Sequence, residues 1–378
     1  MLLNLSEEQE FFRETTDRFL TEQVPPDVLR QLRHDPAGFD PAYWRRGAEL
    51  GWTSLLVSEE RGGGTISDSG LADASLVAYE FGRHAAPGPL AVVNVVAATL
   101  GELNAAPDVL AGLLSGESIA TWCAPPFGST RWEPTVDVRR DGADLVLNGE
   151  ARIVESAGQA EHLLVTCNDE AGVTQVLVPA TAPGVTTTQM ETVDLTRRFG
   201  IVTFGDVRVP AAAAVGPAGD ARAQVHRQFE LLIVLLNAES VGAMQAAFDM
   251  TVEWAFDRYS FGRPLASYQA LKHRFADMMS WLEASHAVSA AACAAVERES
   301  DEAPELVSAA KAYIGQYGVE LLQDCVQLHG GIGVTFEHDL HLYLRRVIVD
   351  RALAGTPADH LQRIAGVVDR RAGDGVAA

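Results

Sequence analysis

The chain has 378 residues, of which 47% are hydrophobic and 21% charged, and a formal net charge of −22. That length allows two or three domains with cores of their own, and the composition is that of an ordinary globular protein. So acidic a chain lacks the clustered Lys and Arg of a general nucleic-acid binder, although one local basic site for an anionic ligand stays open.

The first residues show no basic segment before an apolar stretch, so no secretory signal is expected. "LSEEQEFFRETTDRFL" reads as an amphipathic helix with Leu5, Phe11, Phe12, Phe19 and Leu20 on one side, opened by a Ser6/Gln9 capping box. "RGGGTISDSG" is a loop. "LADASLVAYEFGRHAAPGPLAVVNVVAATLGEL" reads as two Ala-rich helices split at Pro87–Pro89. After Gly116 the residues turn to Val, Thr and Pro. Asn-Gly in "ADLVLNGEARIV" predicts a hairpin turn between two strands, "HLLVTCNDEAGVTQVLVPA" a second hairpin, and "VTFGDVRVP" a strand closed by its proline. From Ala221 onward four long helical patterns follow, 223–257, 266–299, 304–329 and 338–353, broken at Gly262/Pro264, Pro304 and Gly330–Gly333. The expected architecture is mainly α with a central β domain: an N-terminal helical domain (1–116), a middle β-barrel or sandwich (117–220) and a C-terminal four-helix bundle (221–378).

The longest apolar run, Leu231–Leu236, is too short to span a bilayer. Cys123, Cys167, Cys293 and Cys325 form no close pair, which reads as reduced thiols in the cytoplasm. GxGxxG, GxxxxGK[ST] and GxSxG patterns are absent. His338 and His341 flank Asp339 on a solvated helix face, so no metal is expected.

Two segments carry site chemistry. In "DRYSFGRPLASYQ", Arg258 stands at the end of a long helix, where a guanidinium can grip a phosphate with two parallel hydrogen bonds or simply complement the helix dipole. In "QLHGGIGVTFEHDLHLYLRR", Gly330, Gly331 and Gly333 allow either a close backbone approach to a ligand or an ordinary interhelical turn. Together with the α–β–α order, these segments resemble the acyl-CoA dehydrogenase family over nearly the whole chain. The resemblance implies a flavoprotein that oxidises the Cα–Cβ bond of an acyl-CoA thioester. A carboxylate would take the α-proton, and FAD the β-hydrogen as hydride, for delivery to an electron-transfer acceptor. It further implies a dimer of dimers in which Arg258, Phe261, Leu265 and Gln269, with Gln327, Gly330 and Gly331, hold the pyrophosphate and adenosine of a neighbouring subunit's flavin. Gly128, Ser129 and Thr356 match positions that contact a flavin in this family.

The departures from the family pattern are equally specific. The usual base precedes a Gly-Thr near the C-terminus, and "LAGTPAD" has Ala354 there. The minority position on the first bundle helix falls on Leu232. The flavin-ring loop, often T-E-P-x-x-G-S, reads "CAPPFGS", with Cys123 and Ala124 replacing Thr and Glu. An aromatic residue and a Thr or Ser beside the flavin correspond to Ile153 and Glu155, and a carboxylate there opposes negative charge on a reduced ring. The retained half-site and the eroded one fit a hetero-oligomer in which this chain lacks the base and supplies the FAD-tail half-site. The alternatives are a self-sufficient homo-oligomer with Glu239 as a relocated base, Glu239 otherwise being a structural carboxylate paired with an arginine, and a non-catalytic scaffold. Small residues Ala238, Ser240 and Ala243 suit either a bulky acyl group or close helix packing.

Overall fold

The computed structural model describes residues 5–128 and 132–376, with side chains to Asp369. Six helices come first: α1 (Glu7–Gln23), α2 (Pro26–Gln31), α3 (Pro41–Glu49), α4 (Gly70–Arg83), α5 (Leu90–Glu102) and α6 (Pro107–Leu114). The Ser6/Gln9 capping box forms at the start of α1. The buried face of α1 is Phe12, Thr16 and Leu20, at helical i, i+4 spacing. Phe11 was expected on that face but is 70% exposed, because one residue of helix turns the side chain away by roughly 100°. The prolines at 87 and 89 separate α4 from α5, both of which are buried on nearly every side.

Eight strands follow: β1 (Ala120–Cys123), β2 (Val136–Asp141), β3 (Asp144–Glu155), β4 (His162–Asp169), β5 (Gly172–Pro179), β6 (Val185–Met190), β7 (Phe199–Pro210) and β8 (Ala214–Val215). They form one sheet in the order β6-β7-β3-β2-β4-β5-β8, with β1 parallel to β4. Its two halves join through only two β2–β4 residue pairs. The β4–β5 hairpin and the β7 strand closing at Pro210 follow the sequence. The Asn148–Gly149 turn does not. β3 runs straight through it, and the hairpin turns earlier, at Gly142–Ala143 between β2 and β3. Asn148–Gly149 is instead an irregularity in the pairing of β3 with β7. There Gly149 takes a φ of +134°, and a Cβ would lie 2.4 Å from the Thr135 carbonyl oxygen.

The C-terminal bundle is built from α7 (Arg222–Asp257), α8 (Gln269–Glu297), α9 (Ala303–His329) and α10 (Leu340–Ala352), with a two-residue hairpin, β9 (Tyr259–Ser260) and β10 (Arg263–Pro264), between α7 and α8. Beyond the four expected helices it carries α11 (Pro357–Val376), packed on α9 and capped where Thr356 and Asp359 exchange hydrogen bonds. α7 is long and apolar enough to cross a membrane, but 83% of its most apolar window is buried within the fold, as in a core helix.

α4 and α7 meet without side chains between them. A Cβ on Gly82 would sit 1.8 Å from the Glu239 carbonyl oxygen and 2.9 Å from the Ala243 nitrogen, and one on Gly242 would sit 1.9 Å from the Tyr79 carbonyl. Ala238 and Ala243 are fully buried in this helix, and Ser240 donates to Asp350 at 3.1 Å; none of the three borders the cavity described below. Of the two readings open for these small residues, close packing is the one these contacts support. Gly82→Ala is expected to destabilise the fold by about 1–3 kcal/mol, because backbone must move to admit one methyl group. Thermal unfolding checks this, and an unchanged midpoint would refute the contact.

Candidate active site

A mostly apolar cavity of about 440 Å³ opens where the sheet meets the bundle. Leu232 and Leu236 of α7, Ile153 and Glu155 of β3, and Ala354 and Thr356 ahead of α11 border it. Leu232 and Ala354, the two positions to which the resemblance points for a base, thus border one cavity, and both carry hydrocarbon. The ring loop enters from another side. Phe127 packs edge-on against Phe229 at 4.8 Å and stacks on His360 at 5.0 Å. Gly355 leaves room for it, since a Cβ there would come within 2.5 Å of the Phe127 ring. Burial pushes the His360 imidazole down to about 4, and its Nε2 lies 2.9 Å from the Ala354 carbonyl oxygen. Gly128 is half-buried beside Phe127, and Ser129 lies outside the described residues. The Thr356 hydroxyl donates to Asp359 at 2.6 Å. Cys123 and the other three cysteines are buried and free, and burial raises the Cys123 thiol well above its ordinary value.

Behind the cavity lies a buried ion cluster that no local pattern in the sequence announced. Arg197 donates from Nη2 to Glu239 at 2.5 Å and from Nη1 to Asp350 at 2.7 Å. Arg346 donates from Nε to Asp194 at 2.6 Å and from Nη1 to the other Glu239 oxygen. Its Nη2 donates to the carbonyls of Ala85 and Ala86 and to the Thr196 hydroxyl. Lys311 donates to the Asp350 backbone carbonyl. Burial works against the Asp194 carboxylate, but Arg346 and Arg197 hold its pKa below the ordinary value. Burial lifts Asp350 to about 7 and lowers Lys311 to about 8. Glu239 therefore gives each carboxylate oxygen to an arginine and does not border the cavity.

The second predicted site is exposed and lies elsewhere: none of its residues borders the cavity. Arg258 follows α7 in extended conformation, with its guanidinium 5.9 Å from the centre of the Trp254 ring. His329 also stacks on Trp254, at 5.2 Å. Trp254 therefore brings "DRYSFG" and "QLHGG" to one place. Leu265 donates its backbone N–H to the Arg258 carbonyl at 2.8 Å, which closes the loop whose tip is Phe261, 97% exposed. Gln269 begins α8 and Gln327 lies in the last turn of α9, both exposed. Gly330 takes a φ of +67°, and nothing lies within 4 Å of a Cβ built on Gly330 or Gly331. Among the described residues Arg258 has no carboxylate partner, so its fork of donors is open to a phosphate. These residues fit the pyrophosphate and adenosine end of a dinucleotide. His338 and His341 are half-buried: His338 packs against His329 at 4.5 Å, and His341 stacks on the exposed Phe336 at 4.6 Å.

Comparison with known proteins places this geometry. Family models described as the acyl-CoA dehydrogenase N-terminal and C-terminal domains match residues 6–117 and 224–368. Acyl-CoA dehydrogenase IpdE2 of Mycolicibacterium smegmatis is 30% identical over 95% of this chain and 98% of its own length. The protein of the same name from Mycobacterium tuberculosis is 31% identical over 95% of this chain and 96% of its own. Among solved structures, the Tcur3481-Tcur3483 steroid ACAD variant matches with a TM-score of 0.87 at 26% identity, over 97% of this chain and 99% of that one. The chain therefore belongs to the acyl-CoA dehydrogenase family of oxidoreductases, whose cofactor is FAD.

Proposed function

We propose that this chain is the base-lacking subunit of a two-subunit acyl-CoA dehydrogenase and supplies the grip on the pyrophosphate and adenosine of FAD. One observation carries the reading: positions 232 and 354 meet in a single cavity as Leu and Ala. A base that works near neutral pH needs a carboxylate or imidazole poised to take the proton, and neither side chain offers one. Glu239 is poorly placed to replace them, since both of its oxygens accept from buried guanidinium groups. Bound FAD would supply hydride acceptance. Arg258 holds the pyrophosphate through paired hydrogen bonds, Gly330 and Gly331 leave the space an adenosine needs, and Phe261, Leu265, Gln269 and Gln327 border it. The partner subunit supplies the base and the ring contacts, an acyl-CoA is the substrate, and an electron-transferring flavoprotein takes the electrons in the cytoplasm. Likeness to a steroid ACAD supports a ring-bearing acyl group.

The test is expression of this chain alone and together with a second family member that has glutamate at the position matching Ala354. The flavin spectrum and acyl-CoA-dependent dye reduction are recorded for both preparations. Flavin and turnover are expected only from the pair. A yellow, active preparation of the single chain would sink the reading, and Glu239→Gln would then show whether the base has moved there. Flavin missing from both preparations would leave a scaffold.

A further inference from the structure

Arg30 of α2 reaches from the N-terminal helices to the far end of the chain. Its Nε donates to the Phe336 carbonyl at 3.3 Å, and its Nη2 to the Glu337 carbonyl at 2.8 Å and to the Asp339 carboxylate. Its Nη1 donates to Asp27, three residues back on α2, at 2.8 Å. The three distant acceptors lie in the turn that joins Gly330–Val334 to α10. Asp339 is the N-cap residue of α10, yet its side chain makes no cap hydrogen bond there, because Arg30 takes it. His341 closes the same turn, with Nε2 3.1 Å from the Phe336 carbonyl oxygen. A planar fork of donors suits the task, since it holds two successive carbonyls and a carboxylate at once.

The turn carries His338, and from His338 a line of rings leads to Arg258. His338 meets His329 edge-on at 4.5 Å, His329 stacks on Trp254 at 5.2 Å, and the Arg258 guanidinium lies 5.9 Å from the centre of the Trp254 ring. His329 is buried, and its Nδ1 lies 2.8 Å from the Cys325 carbonyl oxygen. Among the described residues no hydrogen bond holds the Trp254 indole, so packing sets its plane.

We propose that Arg30 is a positioning residue for the nucleotide grip. By fixing the turn at 336–339 it sets His338 and His329 against Trp254, and so holds Arg258 where a pyrophosphate meets it. The inference rests on the reading that Arg258, Gly330 and Gly331 hold the tail of FAD. Each of the three Arg30 nitrogens is already engaged within the chain, so the residue acts through the turn and not on the phosphate. The N-terminal helices thereby take part in a site whose other residues all belong to the C-terminal bundle.

The test is a double-mutant cycle on the assembled, flavin-loaded enzyme, followed by flavin fluorescence as the cofactor dissociates. Arg30→Ala is expected to speed dissociation about three- to tenfold in the wild-type background, and by no more than about twofold when Arg258 is already alanine. Arg30→Lys should recover only part of the loss, because an ammonium keeps the charge and loses the planar fork. His338→Ala breaks the line one step further on and should give the same pattern, which decides the matter should Arg30→Ala fail to fold. A role in stability alone predicts otherwise: the flavin-free chain melts earlier, and the flavin losses of Arg30→Ala and Arg258→Ala simply add. Additive losses, or unchanged dissociation in both Arg30→Ala and His338→Ala, would overturn the proposal. Loss of flavin in Arg258→Ala with none in those two variants strikes the positioning role alone. No loss in Arg258→Ala removes the grip and the positioning role together.

Discussion

Arg258→Ala is expected to weaken FAD retention by the assembled enzyme about ten- to a hundredfold, equivalent to one charge-assisted hydrogen bond of about 1.5–3 kcal/mol. The reasoning is geometric. Arg258 is exposed and has no carboxylate partner among the described residues, and its guanidinium is held in place by the face of Trp254. Alanine removes the charge without disturbing a core. The melting temperature of the flavin-free chain should therefore stay close to wild type while dissociation of flavin, followed by its fluorescence, accelerates. Arg258→Lys should recover only part of the loss, because an ammonium keeps the charge and loses the planar fork. A variant that holds flavin as tightly as wild type would remove Arg258 from the site. One that loses flavin and melts early would show a structural role instead.

Arg346→Met should have a larger effect on the fold itself, about 3–5 kcal/mol. Arg346 is fully buried, and one guanidinium joins α10 to Asp194 and Thr196 before β7, to Glu239 of α7 and to the connection between α4 and α5. Methionine fills most of the volume but leaves Asp194 and one Glu239 oxygen without their cation. Against a total stability of about 5–15 kcal/mol, that loss leaves a marginal protein. Denaturant unfolding measures it. The double variant Arg346→Met/Asp194→Asn should recover part of the loss, since it removes one of the stranded charges. A wild-type midpoint in the single variant would mean that the cluster contributes nothing net.

The contrast between these two arginines shows what the sequence could disclose. Arg258 was legible because its neighbours are: the loop residues Gly262 and Pro264 and the glycines at 330 and 331 punctuate long helical patterns, and Pro304 falls in the first turn of α9 as helix starts prefer. Ala354 and Leu232 were legible through resemblance, and the structure brings both to one cavity. Arg346 and Arg197 were not, because their partners lie on other elements, scattered between Glu155 and Asp350, and no periodicity links them. Asn148–Gly149 was misread for a different reason. The backbone freedom that suits a tight turn also suits a bulge inside a long strand, and local chemistry does not tell them apart. The four helical patterns stop at 353 and leave out α11, which Thr356 and Asp359 cap.

The loop tip at Phe261 bears on how the molecule must be handled. Phe261 shows 97% of its surface, with Phe256 at 65%, Tyr259 at 63% and Val334 at 77% exposed on the same helix-end region. Apolar groups left bare in this way reward association over isolation. On the proposed pairing of subunits, melting temperature becomes a titration: it should climb with protein concentration, because the partner then hides these rings. In the proposed two-subunit enzyme, yield in a cell would follow the same law, and the ratio in which the two chains are synthesised would govern how much of this one survives.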